Sequence, residues 1–113
     1  MRQRTKRYAS GIVRLFNDLP QRNKAAQVLG LLLLRSGTSV ASHTREASRA
    51  RSDAEFCSKL DGLLQEADEA GLWIELLIDD CSFSGEHINS LFAETNELLA
   101  IFTTIVAKVR RGL

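Results

Sequence analysis

One proline, two cysteines, one tryptophan and one tyrosine stand in a chain of 113 residues. Each scarcity excludes something. With Pro20 alone, helices have almost no internal breaks of the kind proline imposes. Cys57 and Cys81 are too few for a disulfide framework and form no Cys-x-x-Cys pair. They read as free packing thiols in a reducing compartment. Long apolar runs are missing too. Leu31–Leu34 is a run of four, far below the ~20 residues that span a bilayer, so no membrane partner is expected. The basic start Arg2-Gln3-Arg4-Thr5-Lys6-Arg7 leads into an amphipathic stretch and not into a secretory signal, which makes the cytoplasm the expected location.

What is present is ample apolar material, at 44% hydrophobic residues. The length suits a single domain over 1–113, with residues 1–7 read as a basic N-terminal extension. The net charge is only +1, but it is unevenly distributed. Residues 1–51 carry 11 Lys and Arg against Asp18 and Glu46; residues 52–100 carry Lys59 against 12 acids; Lys108, Arg110 and Arg111 follow. Either basic and acidic helices neutralise one another, or the clustered arginines form a surface for a polyanion.

Apolar spacing is helical throughout. Tyr8, Ile12, Leu15, Phe16 and Leu19 form one stripe, and Pro20 closes a first helix over about residues 4–18. Asn23 is a candidate N-cap for a second helix. After Arg35 that segment turns to small residues, Ser36-Gly37-Thr38-Ser39, which propensity would assign to a loop. The continuing stripe Leu29, Leu33, Gly37, Val40, Ala41, Thr44 and Ala47 favours one unbroken helix, closely approached by a neighbour. Ser52-Asp53-Ala54-Glu55 reads as a capping box opening a third helix that ends near Ile78. Ser84 is a candidate cap for a fourth, carrying Ile88, Leu91, Thr95, Leu98, Phe102 and Val106. No segment alternates with period two. The expected fold is all-α, an antiparallel up-down-up-down four-helix bundle. Leu31, Leu32 and Leu34 exceed what one stripe requires and read as a subunit interface.

The stretch Arg35-Ser36-Gly37-Thr38-Ser39-Val40-Ala41-Ser42-His43-Thr44-Arg45-Glu46-Ala47 resembles the small-residue helix of the four-helix-bundle proteins encoded in intervening sequences of bacterial 23S ribosomal RNA, usually Arg-Ala-Ala-x-Ser-Ile-x-x-Asn-Ile-x-Glu-Gly. Arg35, Ser39 and Glu46 match outright; His43, Thr44 and Ala47 replace Asn, Ile and Gly. Ser52–Phe56 is similar to the family's entry into its third helix. Glu66-Ala67-Asp68-Glu69 with Trp73-Ile74-Glu75-Leu76-Leu77 resembles its Glu-x-x-Glu-x-x-x-Trp-Leu-x-Leu-Leu segment. The resemblance implies a homopentamer without an established activity. It also implies, through one branch that serves diversity-generating retroelements, a partner reverse transcriptase and nucleic acid.

Chemistry is sparse. His43-x-x-Glu46 reverses the Glu-x-x-His order of di-iron bundles and occurs once, so no metal is expected. Ser39 and His43 share a helix face but lack a third group, and no phosphate-binding glycine loop exists. The chain is read as non-enzymatic and without a cofactor. Arg35, Glu66 and Glu69 are the candidate interhelical or intersubunit ion pair, worth about 3–5 kcal/mol if fully buried. Trp73 is a core residue or an interface anchor. Arg2, Arg4, Lys6, Arg7, Arg49, Arg51, Arg110 and Arg111 are the candidate phosphate contacts for RNA or DNA, with no interleaved aromatics for base stacking. The alternative function is a protein–protein interaction module using the apolar face at Leu31–Leu34.

Overall fold

The computed structural model describes residues 1–112. It contains four helices and, among the described residues, no strand: α1 (Arg2–Asp18), α2 (Lys24–Ser48), α3 (Asp53–Cys81) and α4 (Glu86–Gly112). Their lengths of 17, 25, 29 and 27 residues give a rod of 49 × 20 × 20 Å. Each helix packs on the next in sequence and α4 returns to α1, while the diagonal pairs α1–α3 and α2–α4 do not meet. The neighbours run antiparallel. Gly30 faces Leu19 where Gly37 faces Ile12, and Lys59 reaches Glu46 where Gly62 meets His43.

Local chemistry sets the ends. Asn23 Oδ1 accepts the Ala26 N–H at 3.0 Å and starts α2 where the sequence placed it. Ser52 Oγ accepts the Glu55 N–H at 3.0 Å, but the Glu55 carboxylate lies 3.7 Å from Arg51, so the capping box is half formed. Leu19 turns extended (ψ 142°) ahead of Pro20, and the Gln27 amide donates to the Pro20 carbonyl at 3.0 Å. Three boundaries differ from the sequence reading. Helix α1 begins at Arg2, because buried Thr5 donates its N–H (2.9 Å) and hydroxyl (3.0 Å) to the Met1 carbonyl. Residues 2–7 are thus the first turns of α1 and not an extension. Helix α3 runs on to Cys81, since Ile78 and Cys81 pack against the core, and stops at Ser82 in the left-handed region (φ 56°). Gly85, not Ser84, precedes α4: its φ of +137° is open to glycine, and its carbonyl accepts the Asn89 N–H at 3.2 Å.

The small-residue segment is helical. Its hydroxyls return to carbonyls of their own helix, Thr38 to Leu34 (2.7 Å), Ser39 to Arg35 (2.8 Å) and Thr44 to Val40 (2.8 Å), so they reach the seams already satisfied. Ile12, Leu15, Leu33, Leu60, Leu63, Ile74, Leu77, Ile88 and Leu98 form the centre of the core. Tyr8 enters it with its hydroxyl 2.5 Å from Thr95 Oγ1. Because the Thr95 hydroxyl donates to the Leu91 carbonyl (2.7 Å), Tyr8 is the donor. Cys57 is buried and Cys81 half-buried, both as free thiols. By length and composition α4 could cross a membrane, yet it places Ile88, Leu91, Leu98, Phe102 and Val106 in the core of the bundle.

Candidate functional site

Antiparallel packing gathers the three basic segments at one end of the rod, where α1 begins, α2 turns into α3, and α4 finishes. All eight sequence-identified basic residues lie there, and Arg45, Lys59 and Lys108 join them. Glu46, Asp53, Glu55 and Asp61 oppose this charge across the α2–α3 turn and at α4, and Glu94 and Glu97 oppose it beside Arg4 and Arg7; the other eight acids lie farther along the rod. A charge imbalance along the sequence thus becomes a polarity along the long axis.

The eight are not equivalent. Arg4 clasps Glu94 through two hydrogen bonds of 2.7 and 2.8 Å. That pairing lowers the Glu94 carboxyl below its usual range and raises Arg4. Arg110 is bound to Asp61, which raises it in turn. Within the subunit these two arginines serve as interhelical clasps, between α1 and α4 and between α3 and α4. Arg51 has only the looser Glu55 at 3.7 Å. Arg2, Lys6, Arg7, Arg49 and Arg111 are exposed with no carboxylate within 4 Å among the described residues. Arg45, Arg49, Arg51 and Lys59 line one open depression across the α2–α3 turn. The helical spacing Arg45–Arg49 could have revealed part of that group; the approach of Lys59 could not be read without the seam.

A second site opens on the outer side of α2 and α3. Leu32, Arg35, Ser36, Glu66, Glu69 and Trp73 line a cleft of about 220 Å³. The cleft brings Arg35 together with the two glutamates, but within the subunit Arg35 forms no ion pair within 4 Å of either, so the interhelical form of the expected pair is not closed. Arg35 and Glu69 are exposed and Glu66 is half-buried, so the expected buried bridge is not formed. The two carboxyls instead face each other. The facing Glu66 carboxylate, which favours a proton held on Glu69, together with partial desolvation and the Glu66 charge, pushes the Glu69 carboxyl up, with Arg35 opposing. Trp73 packs against the core on one side and opens onto the cleft on the other. Leu32, 36% exposed, lines the cleft, and on the same helix Val28 is 58% and Leu31 56% exposed; Leu72, 47% exposed, opens instead onto the α3–α4 groove with Phe92 and Leu99. Leu34 departs from the expected interface set, because it turns toward the core and packs there.

The remaining polar candidates stay apart. The Ser39 hydroxyl donates to its own helix and not to His43. His43 lies over Gly62 with Nδ1 3.1 Å from Glu46, whose other carboxylate oxygen takes Lys59 at 3.2 Å.

Residues 1–104 match the family described as 23S rRNA-intervening sequence protein. The chain belongs to that family. A crystal structure of a protein of unknown function from the S23 ribosomal protein family of Bacteroides thetaiotaomicron VPI-5482 is similar over 93% of this chain and 96% of that one, with 33% identity and a TM-score of 0.84. No curated protein matches the sequence. In this intervening-sequence protein the cleft and the exposed leucines fall inside the matched residues, whereas Arg110 and Arg111 lie beyond them.

Proposed function

We propose that this intervening-sequence protein is a non-enzymatic, self-assembling scaffold, a homopentamer whose copies meet on the outer α2–α3 face and whose basic ends bind the phosphate backbone of RNA or DNA. The observation that carries the reading is the exposed apolar surface of α2, Val28, Leu31 and Leu32, with Leu32 at the Trp73 cleft. Three large apolar side chains exposed on one helix, one of them at a tryptophan cleft, are the composition of an interface core and not of a solvated face. Assembly would repeat the polar axis of each copy. Side-by-side copies present their free Arg2, Lys6, Arg7, Arg49 and Arg111 together, so weak single contacts act in concert. Such contacts hold phosphates without reading bases.

Light scattering on the purified protein tests the assembly, and a monomer at tens of micromolar would reject it. A mobility-shift series with RNA and DNA across salt tests the ligand. Retardation at low salt that fades steeply as salt rises is expected. No retardation at the lowest salt would leave a protein-interaction module built on the same apolar face.

A further inference from the structure

We infer that the outer α2–α3 face receives the solvent face of α1 from a second copy of this chain, with Val13 covering Leu31 and Leu32 and Arg14 entering the cleft beside Trp73. The inference rests on the self-assembly proposed above and specifies which surfaces meet.

The receiving face is apolar but incomplete in charge. Glu66 and Glu69 stand together at the cleft with Arg35 near them, and no ion pair is closed. One more cation would balance the group. The solvent face of α1 offers that complement. Val13 is 40% exposed, and the adjacent Arg14 is exposed without a carboxylate within 4 Å among the described residues. Glu94, which shares a groove with Arg14, is already held by Arg4.

These two faces cannot meet within one subunit, because α1 and α3 occupy diagonal corners and do not touch. They do stand at the same height. Gly37 lies against Ile12, and Arg35 and Ser36 share their cleft with Glu66 and Glu69. Val13 and Arg14 are therefore level with Glu69 along the bundle axis. A copy related by rotation about an axis parallel to the rod brings Arg14 level with Glu69, with Leu32 and Trp73 about one helical turn further along. Such a contact is heterologous, the kind that builds rings. Inside it the Arg14 guanidinium would donate N–H groups to the Glu66 and Glu69 carboxylates and lay its flat face on Trp73. Arginine and tryptophan at the centre of an apolar patch are typical dominant contacts.

Trp73 is the only tryptophan, so its fluorescence reports the cleft directly. Mass by light scattering and Trp73 emission would be followed on dilution for the wild type, Arg14→Glu, Glu69→Arg and the double variant. All four should keep the same helicity by circular dichroism, since both positions are solvent-facing. Each single reversal should weaken association by about tenfold or more and remove the change in Trp73 emission on assembly. The double variant, with the charges exchanged, should recover both. If the wild type assembles while Arg14→Glu leaves mass and emission unchanged, the inference falls and self-assembly stands. A monomeric wild type would overturn both. Should a reversal disturb folding, Arg14→Ala provides the same comparison, with weaker association expected and unchanged association refuting the contact.

Discussion

On the side of α2 that meets α1, Gly30 and Gly37 remove side chains where the neighbour approaches, and Leu19, Phe16 and Ile12 fill the space. On its outer side the same helix carries Val28, Leu31 and Leu32, large and uncovered. The first side is closed by shape, so nothing can be added there without displacing a buried neighbour. The second is open, and its apolar surface gains nothing until another molecule covers it. Both are apolar in the sequence. What separates them is the fit to a helix of the same chain, and that difference assigns stability to one side and association to the other.

The sharpest way to test this contrast is Ile12→Ala. Ile12 is fully buried in the notch at Gly37, and a cavity there should cost about 2–5 kcal/mol in denaturant unfolding. The reverse change, Gly37→Ala, places a Cβ 2.8 Å from Ile12 Cγ1. Overpacking of about 1–3 kcal/mol outweighs the ~1 kcal/mol that alanine returns in helix propensity, so a smaller net loss is expected. An increase in stability would mean that the seam is looser than its glycines suggest.

Tyr8→Phe comes next, at about 1 kcal/mol for the lost hydrogen bond to Thr95. Burial holds the Tyr8 phenol up at about 12, against 10.0 for a free one. Its contribution is complete below the unfolded value and is lost as pH rises from there toward about 12. The alkaline decline in melting temperature should therefore be shallower in Tyr8→Phe than in the wild type.

Glu94→Gln should lower stability less still, because the Arg4–Glu94 clasp is partly exposed. The Glu94 carboxyl is lowered in the folded chain, so its contribution is present at neutral pH and disappears as pH falls through the folded value. Wild type and variant should therefore converge in acid. At the open face, Leu31→Ser should leave the helicity of the dilute subunit unchanged while reducing its assembled mass. The contrast between the two sides fails if that variant unfolds as readily as Ile12→Ala.

Much of the fold could be read directly from the residues. The stripe from Tyr8 to Leu19, the Asn23 and Ser52 caps and the continuous α2 all follow from spacing and short-range hydrogen bonds, which act within a few residues. The site was less legible. Arg35, Glu66 and Glu69 share one cleft, yet sequence proximity could not tell an ion pair from two facing carboxyls with a nearby cation. Arg4 and Arg110 resembled the free arginines around them until Glu94, 90 residues from Arg4, and Asp61, 49 residues from Arg110, came within reach.

The sequence by itself determined four amphipathic helices, their main breaks and the side of each that turns inward. Periodicity and capping are local, and the apolar stripes leave the helices little choice but to face one another. Only the tertiary structure decided which charges are spent in clasps, that the basic segments share one end, and that the leucines of α2 divide between core and surface. Those outcomes depend on distances between residues far apart in the chain, which exist only once the helices are packed.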